Sequence, residues 1–515
     1  MHAFEALLIV MAAAVVLSLL AGRLKAPFPP FLAMAGAGAA FIPFAPDIGL
    51  DPQLALALFV APVLLDAAFD SSLRDLRRNI VPIACLSLAA VAVTTVAVAL
   101  VARTLMPALP WAAAVALGAI VAPPDAAAAT AVLRLVPAPY RVRTVLEGES
   151  LFNDAGSLLV YRFAVAATVG ALPAGAALPL QVVWALVGSV VFAVAVAWLQ
   201  DRLMRRLEDP PPAIVLQFVG GFGVWIAAER LGLSGIITIV VFAMAVSRMG
   251  ARNPARVRLP AYAVWETVVF GLNAMAFMMV GLQIGPIWEN LAPAQRGDYA
   301  VFALAVLATC VAARFAWVMG YGTVVRFKNH VWGANPPPGM SPPTARSGLV
   351  VAWAGMRGVV SLAAAYALPA DFPMRDLILL SVFVVVMGTL VVQGLTLGPL
   401  IRALRLGGDD TLDADIRLAR IASVEAALKS IEGRTDPQAD RLRADYSERR
   451  AALNGIDDGD GRVLLPVDNL ALTVLQAKRD RLLTLRLEGT ISDAAYYQLE
   501  EELDRHELAL TPVIR

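Results

Sequence analysis

Between residues 4 and 403 the chain is built almost entirely from apolar runs separated by short polar joints. This pattern constrains the fold more than any other feature. A helix of about 20 residues rises about 30 Å, the thickness of the hydrocarbon layer of a bilayer. Inside that layer every backbone N–H and C=O must be paired within the chain, so an apolar run of this length reads as a membrane-crossing helix. We place thirteen such runs, at 4–22, 27–46, 53–72, 80–102, 110–133, 142–169, 178–199, 213–229, 233–249, 263–284, 299–322, 346–369 and 376–403. Only "ERLGLSG" interrupts 213–249, so that stretch also fits one re-entrant unit. Composition agrees: charged residues are 16% of the chain and mean hydropathy is +0.70, whereas soluble domains carry about a quarter charged residues. A chain of 515 residues this apolar is an all-α polytopic membrane protein rather than a string of globular domains.

The arginines orient the bundle. Short cytoplasmic loops are enriched in Lys and Arg. With the N-terminus outside, the inner loops hold Arg23 and Lys25; Arg74, Arg77 and Arg78; Arg134, Arg141 and Arg143; Arg202, Arg205 and Arg206; Arg248, Arg252, Arg256 and Arg258; and Arg326, Lys328 and Arg346. The outer loops hold only Arg103, Arg230, Arg296 and Arg375. An even number of crossings, or the reverse orientation, destroys this alternation. The N-terminus lacks a charged leader and a cleavage site, so 4–22 is read as the first crossing helix. The expectation is a multi-pass inner-membrane protein with its N-terminus outside and its C-terminus in the cytoplasm.

Other classes find little support. The net charge of +1 gives no reason to expect nucleic acid. Cys85 and Cys310 lie in separate runs and make neither a disulfide framework nor a metal set. His2, His330 and His506 are scattered, so no zinc centre or histidine-based catalysis is expected, and no cofactor. From about Gly407 the chain turns charged, with apolar positions at helical spacing. This divides it into a transmembrane domain, 1–406, and a small helical cytoplasmic tail, 407–515, expected to be regulatory. "GIDDGDGR" reads as a linker: Ile456 and Val467 stand where a calcium loop needs its first and last carboxylates. Helices follow near 467–488 and 492–509, the last capped by Ser492.

Charged residues inside the runs are the functional candidates, because an ionisable group at the bilayer centre costs at least ~2.5–3.5 kcal/mol. In "GAIVAPPDAAAATAV", Pro123 and Pro124 remove two backbone donors just before Asp125, so the helix should break in mid-span. Broken helices are how transporters build midplane ion sites. In "EGESLFNDAGSLLVYRF", Ser150, Asn153 and Asp154 fall at i, i+3 and i+4 and share one helix face. A hydroxyl, an amide carbonyl and a carboxylate are hard oxygen ligands suited to a small cation. At ~1.5 Å per residue, Asp125 and Asp154 lie roughly 18–22 Å into antiparallel helices, hence both near mid-membrane. Asp66 lies at similar depth, as does Arg357 in "AWAGMRGVVSLAAAYALP". Gly355 and Gly358 beside it allow a second backbone irregularity.

"GESLFND" resembles the motif of the cation:proton antiporter-1 family, the sodium/proton exchangers of bacteria and eukaryotes. "APVLLDAAFDSSLRDLRRN", "VAPPDAAAAT", "VWETVVFGLNAMAFMMVGLQIG", "RFAWV", "AGMRGVVSLAAAYALP" and "TLVVQGLTLGPLIRAL" match its other blocks in order. The resemblance spans roughly residues 4 to 406. It implies thirteen helices in two inverted six-helix repeats joined by the seventh, and a homodimer among membrane lipid. It implies a secondary antiporter of Na+ and H+, with K+ as the alternative cation and Li+ a further one. Carried over by position, Asp154 is the ion-binding and proton-carrying carboxylate, with Asn153 and Ser150 as neighbours and Asp125 at the break; these four are the expected Na+ ligands. Glu149 and Arg357 match a buried salt-bridge pair. Two positions depart from the pattern: Pro124 replaces a common Thr, which leaves a carbonyl but no hydroxyl, and Asp66 replaces a common Glu. The shorter Asp66 binds the ion through water or not at all. Asn153 in place of a second Asp goes with electroneutral one-for-one exchange; electrogenic stoichiometry is the alternative. An intramembrane enzyme lacks its motifs here, and a channel lacks a repeated filter.

Overall fold

The computed structural model describes residues 2–24, 27–41, 52–133, 139–170, 177–207, 209–250, 255–332, 344–406, 411–454, 466–488 and, apart from 501, 499–507. Every regular element among them is a helix. The chain divides into two compact units, Met1–Asp409 and Asp410–Arg515.

The helices of the first unit that matter here are α1 (His2–Arg23), α2 (Phe28–Ala39), α3 (Ala61–Asp70), α4 (Ile80–Leu105), α5 (Trp111–Val121), α6 (Ala126–Leu133), α7 (Tyr140–Thr168), α8 (Leu180–Met204), α9 (Pro210–Arg230), α10 (Gly235–Gly250), α11 (Ala255–Leu282), α12 (Arg296–Trp332), α13 (Ala345–Trp353), α14 (Val359–Tyr366) and α15 (Arg375–Ala403). Among the described residues, six stretches are long and apolar enough to cross a membrane: Ile80–Leu105, Leu180–Met204, Pro210–Arg230, Arg256–Asn290, Pro293–Lys328 and Arg375–Ala403.

Packing sorts these helices into two groups. In the first, α4 packs on α5 and α12, α5 on α7, and α12 on α15. In the second, α11 packs on α1 and α2, while α10 packs on α3, α8 and α9. Small residues set the closest approaches, as expected where apolar lipid provides no drive for helices to associate. A Cβ on Gly36 of α2 would stand 2.1 Å from the Met278 carbonyl oxygen of α11, and one on Gly281 of α11 would stand 2.1 Å from the Ala33 carbonyl oxygen. Only glycines let these two backbones touch. Gly118 does the same for α5 against Thr95 of α4, at 2.5 Å.

Two interruptions shape the interior. α5 and α6 are separated by Ala122–Asp125, where the proline pair stands, and α13 and α14 by 354–358. Single wide turns also occur at Leu56–Val60, Cys85–Ala89, Trp184–Gly188 and Thr389–Gln393. Such turns loosen the normal backbone ladder. At the second of them the Cys85 carbonyl accepts from Trp317 Nε1 at 3.0 Å, which ties α4 to α12.

In the second unit, α16 (Thr411–Ser430) and α17 (Pro437–Asn454) form a helical hairpin. Its turn needs Gly433, whose φ of 78° falls in the left-handed region. Arg443 closes the turn by donating to the Arg434 carbonyl at 2.7 Å, and Asp436 Oδ1 accepts from the Ala439 amide at 2.9 Å. α18 (Pro466–Leu487) carries Arg479, which pairs with Asp504 and Glu507. The expected linker at 455–462 and the Ser492 cap lie outside the described residues.

Candidate functional site

The proline pair ends α5 at Val121, and α6 restarts at Ala126 with Asp125 just before it. Asp125 Oδ1 accepts from the Ala127 amide at 2.9 Å, the bond of an N-cap. The Asp125 amide donates to the Met356 carbonyl at 2.6 Å. The two broken segments therefore cross, and one backbone bond joins them.

The crossing explains Gly358. A Cβ there would lie 1.7 Å from Asp125 Oδ2. Gly355 serves another side chain in the same way: its Cβ would lie 2.3 Å from Arg314 Cδ. Gly358 is in extended backbone, at φ −138° and ψ −152°. The glycines flanking Arg357 are needed for the space a side chain would take, one beside a carboxylate and one beside an arginine stem.

Arg357 sits in the second break, fully buried. Its amide donates to Thr389 Oγ1 at 2.9 Å and its Nε to the Val121 carbonyl at 3.0 Å; Nη1 donates to the Gly355 carbonyl. Val121 is the last residue of α5, and Gly355 lies just beyond α13. The guanidinium thus rests on carbonyls at two half-helix C-termini, where the helix dipole is negative. Asp125 does the converse at the positive N-terminus of α6.

This overturns the expected pairing of Glu149 with Arg357. Glu149 pairs with Arg314 of α12: Nη1–Oε1 is 2.6 Å and Nη2–Oε2 is 3.0 Å. Arg314 Nη2 also donates to the Val351 carbonyl at 3.0 Å. A planar fork facing a carboxylate makes two parallel bonds, the strongest geometry such a pair has. Arg357 has its own acceptors in the carbonyls that the breaks release. Sequence reasoning passed over Arg314. The available signal was an arginine deep within the run 299–322, costly unless paired.

α7 brings the remaining candidates together. Ser150, Asn153 and Asp154 are all buried, as is Ser157 one turn on, whose Oγ donates to the Asp154 carbonyl at 3.3 Å. Asn153 Nδ2 donates to the Pro124 carbonyl at 2.9 Å, so the oxygen that proline retains anchors α7 to the break. Asn153 Oδ1 is then left buried with no hydrogen bond from the described residues. An unmatched buried acceptor typically costs ~1–3 kcal/mol, which makes this oxygen a candidate for coordinating a cation. Asp154 follows Asn153 and Asp125 follows Pro124, so the Asn153–Pro124 bond brings the segments of the two carboxylates together. Asp66, on α3, is half-buried; α3 packs on α10 and also touches α7. The candidate site therefore gathers Asp154, Asn153 and Asp125 on segments joined where two broken helices cross, with Arg357 in the second break.

An all-helical membrane bundle with crossed broken helices and carboxylates at the crossing defines a secondary transporter. The chain belongs to the sodium/hydrogen exchanger family, whose transmembrane profile matches residues 9–403. It is 32% identical to an uncharacterised Na+/H+ exchanger of Mycobacterium tuberculosis, over 97% of this chain and 94% of that one. It is 28% identical to a sodium, potassium, lithium and rubidium/H+ antiporter of Bacillus pumilus, over 94% and 74% respectively. Its fold matches the sodium proton antiporter MjNhaP1 of Methanocaldococcus jannaschii, solved at pH 8, with a TM-score of 0.60 at 18% identity, covering 79% of this chain and 99% of that one. The protein is a membrane-embedded cation/proton antiporter of the cation:proton antiporter-1 family, not an enzyme.

Proposed function

We propose that the protein exchanges Na+ for H+, one for one, by alternating access, with the two ions competing for Asp154. The observation that carries this reading is the cluster at the crossing. There Asn153, whose Oδ1 is unmatched, immediately precedes Asp154 and bonds the carbonyl of Pro124, the residue before Asp125. Ser150 and Asp125 complete the ligand set, and Asp66 joins it through water or not at all.

Charge supports the stoichiometry. Asp125, Asp154 and Glu149 bring three carboxylates, while Arg314 and Arg357 bring two guanidinium groups. One net negative charge remains, and either one Na+ or one H+ neutralises it. A buried charge is costly unless compensated. The core therefore moves easily when loaded with either ion and poorly when empty, which is the condition for coupled exchange. The name of the Bacillus pumilus relative favours a second reading in which K+ replaces Na+ at the same site.

The membrane arrangement belongs to the same proposal. Thirteen crossings with the N-terminus outside put the inner arginines in the cytoplasm. The broken stretches, 111–133 and 345–366, fall in the fifth and twelfth runs, equivalent places in two six-helix halves joined by the seventh. The exposed Leu180, Val183, Trp184, Val187 and Val191 of α8 offer an apolar face to lipid or to a second copy in a homodimer.

The test is ion exchange by purified protein in proteoliposomes, with an internal pH dye and Na+, K+ or Li+ added outside. Asp154→Asn and Asp125→Asn should each insert normally and abolish cation-dependent proton movement. Normal exchange by either variant removes that residue from the mechanism.

A further inference from the structure

One charged residue of the site helix plays no part in the ion cluster. Arg162 lies eight residues past Asp154 on α7, about 12 Å along the axis at 1.5 Å per residue. Its Nη2 donates to Glu229 Oε2 of α9 at 2.5 Å. The pair joins the helix that carries the ion ligands to the helix group formed by α8, α9 and α10.

Glu229 is held from the other side as well. Its Oε1 accepts from the Gly235 amide at 3.0 Å, at the start of α10. The turn between α9 and α10, which needs Gly232 at φ 69°, is pinned to α8. There Ser234 donates its amide to Ser189 Oγ at 2.9 Å, and Trp184 Nε1 donates to the Leu231 carbonyl at 3.2 Å. Glu229 is thus held on α9 and α10, with the turn between them pinned to α8, whereas Arg162 reaches this group through the one ion pair while Leu151, Ala155 and Leu158 of α7 pack on it.

A cavity of about 810 Å³ lies between the two groups. Ala155, Leu158 and Arg162 put one face of α7 on it, and Trp225, Glu229 and Ile236 supply part of the opposite wall. It therefore runs from the ion pair to the residue next to Asp154. Arg162 and Glu229 keep 51% and 34% of their side-chain surface exposed, and both line this cavity. A part-exposed pair of this kind is weaker than a fully buried one, which suits a contact broken and remade in every cycle. The cavity is on the side away from Arg141 and Arg143.

We propose that Arg162 and Glu229 are the outer latch of the exchanger: the pair holds α7 against the α8–α10 group in one access state and parts in the other. This rests on the antiport reading above. Breaking the latch should alter cation handling from the outer side and leave the ion cluster intact.

The experiment uses the full chain in proteoliposomes. In a Cys85→Ala, Cys310→Ala background, Arg162→Cys and Glu229→Cys are bridged by a reducible bis-methanethiosulfonate of ion-pair length. Exchange should fall at least tenfold on bridging and return with reductant, while the reagent leaves the exchange rate of each single-cysteine control where it was before treatment. Undiminished exchange by fully bridged protein overturns the latch. A second arm needs no cysteines. Arg162→Gln should change the outer half-saturation concentration for Na+ about threefold and leave the inner value alone, and Arg162→Glu with Glu229→Arg should restore it. Equal half-saturation values in all three proteins on both sides mean a static surface bridge and also overturn the proposal. If the wild type moves no cation against protons, the antiport reading fails and the latch falls with it.

Discussion

Arg314 and Glu149 are joined at two points, Nη1–Oε1 at 2.6 Å and Nη2–Oε2 at 3.0 Å, with side chains 3% and 1% exposed. Glu149 lies one residue before Ser150 on the site helix, so α12 grips α7 within a turn of the ion cluster. Removing one member of a buried pair leaves an uncompensated charge and typically costs ~3–5 kcal/mol, whereas removing both is often mild. Glu149→Gln and Arg314→Gln should therefore each lower the melting temperature in detergent and the yield of folded protein. The double variant should recover part of both. The same cycle between Glu149 and Arg357 should give much weaker coupling. Additive losses for Glu149 with Arg314 count against the pair.

Gly358→Ala should be among the most damaging single-methyl changes in the chain. The added carbon would stand 1.7 Å from Asp125 Oδ2, 2.5 Å from Cγ and 2.8 Å from Cβ. A short aspartate held at its Oδ1 and at its amide has little room to withdraw. Overpacking typically costs ~1–3 kcal/mol, and here the displaced group is a proposed ion ligand. Exchange should be lost while the protein still inserts; wild-type transport by this variant contradicts the crossing geometry.

Asn153 tests the stoichiometry. Asn153→Asp replaces the amide that donates to Pro124 with an acid beside Asp154. The loaded core then carries one more negative charge, and exchange should acquire a dependence on membrane potential. Proteoliposomes clamped with K+ and valinomycin read this directly. Voltage-independent exchange by the variant weakens the charge argument, and voltage-driven exchange by the wild type ends it.

Arg357→Gln should destabilise the crossing because the carbonyls of Val121 and Gly355 lose a cation at two helix C-termini. Interactions of this kind are worth up to ~2 kcal/mol when partly buried. Arg357→Lys should recover part of the melting temperature, since it keeps the charge but not the fork. Equal loss in both variants assigns the effect to geometry rather than charge.

Truncation after Leu406 should leave exchange intact, because the clustered candidates and the matched family profile lie upstream. The tail is proposed to tune the response to pH, so the truncated protein should transport with a displaced pH profile. Complete loss of transport in a well-inserted truncation contradicts this.

Local chemistry settled much of this protein before any tertiary contact. The length and apolarity of the runs demand helices, because hydrocarbon offers the backbone no other partner. Pro123 and Pro124 interrupt a helix in mid-run, because a proline nitrogen has no hydrogen to donate and its ring clashes with the preceding turn. Ser150, Asn153 and Asp154 share a face through spacing alone. The partners of the buried charges were a different matter. Arg314 and Arg357 both lie deep in apolar runs, and each is a plausible mate for Glu149 by charge and depth. Their order along the chain does not say which fork meets the carboxylate and which meets the freed carbonyls. Only the packing of α7, α12 and the second break chose. The same holds for Arg162 and Glu229, separated by 67 residues, and for Gly358, whose missing side chain has a purpose only where Asp125 crosses it. Helices and their breaks follow from covalent geometry and solvation within a few turns, whereas the match of one charge to another follows from where distant turns come to rest.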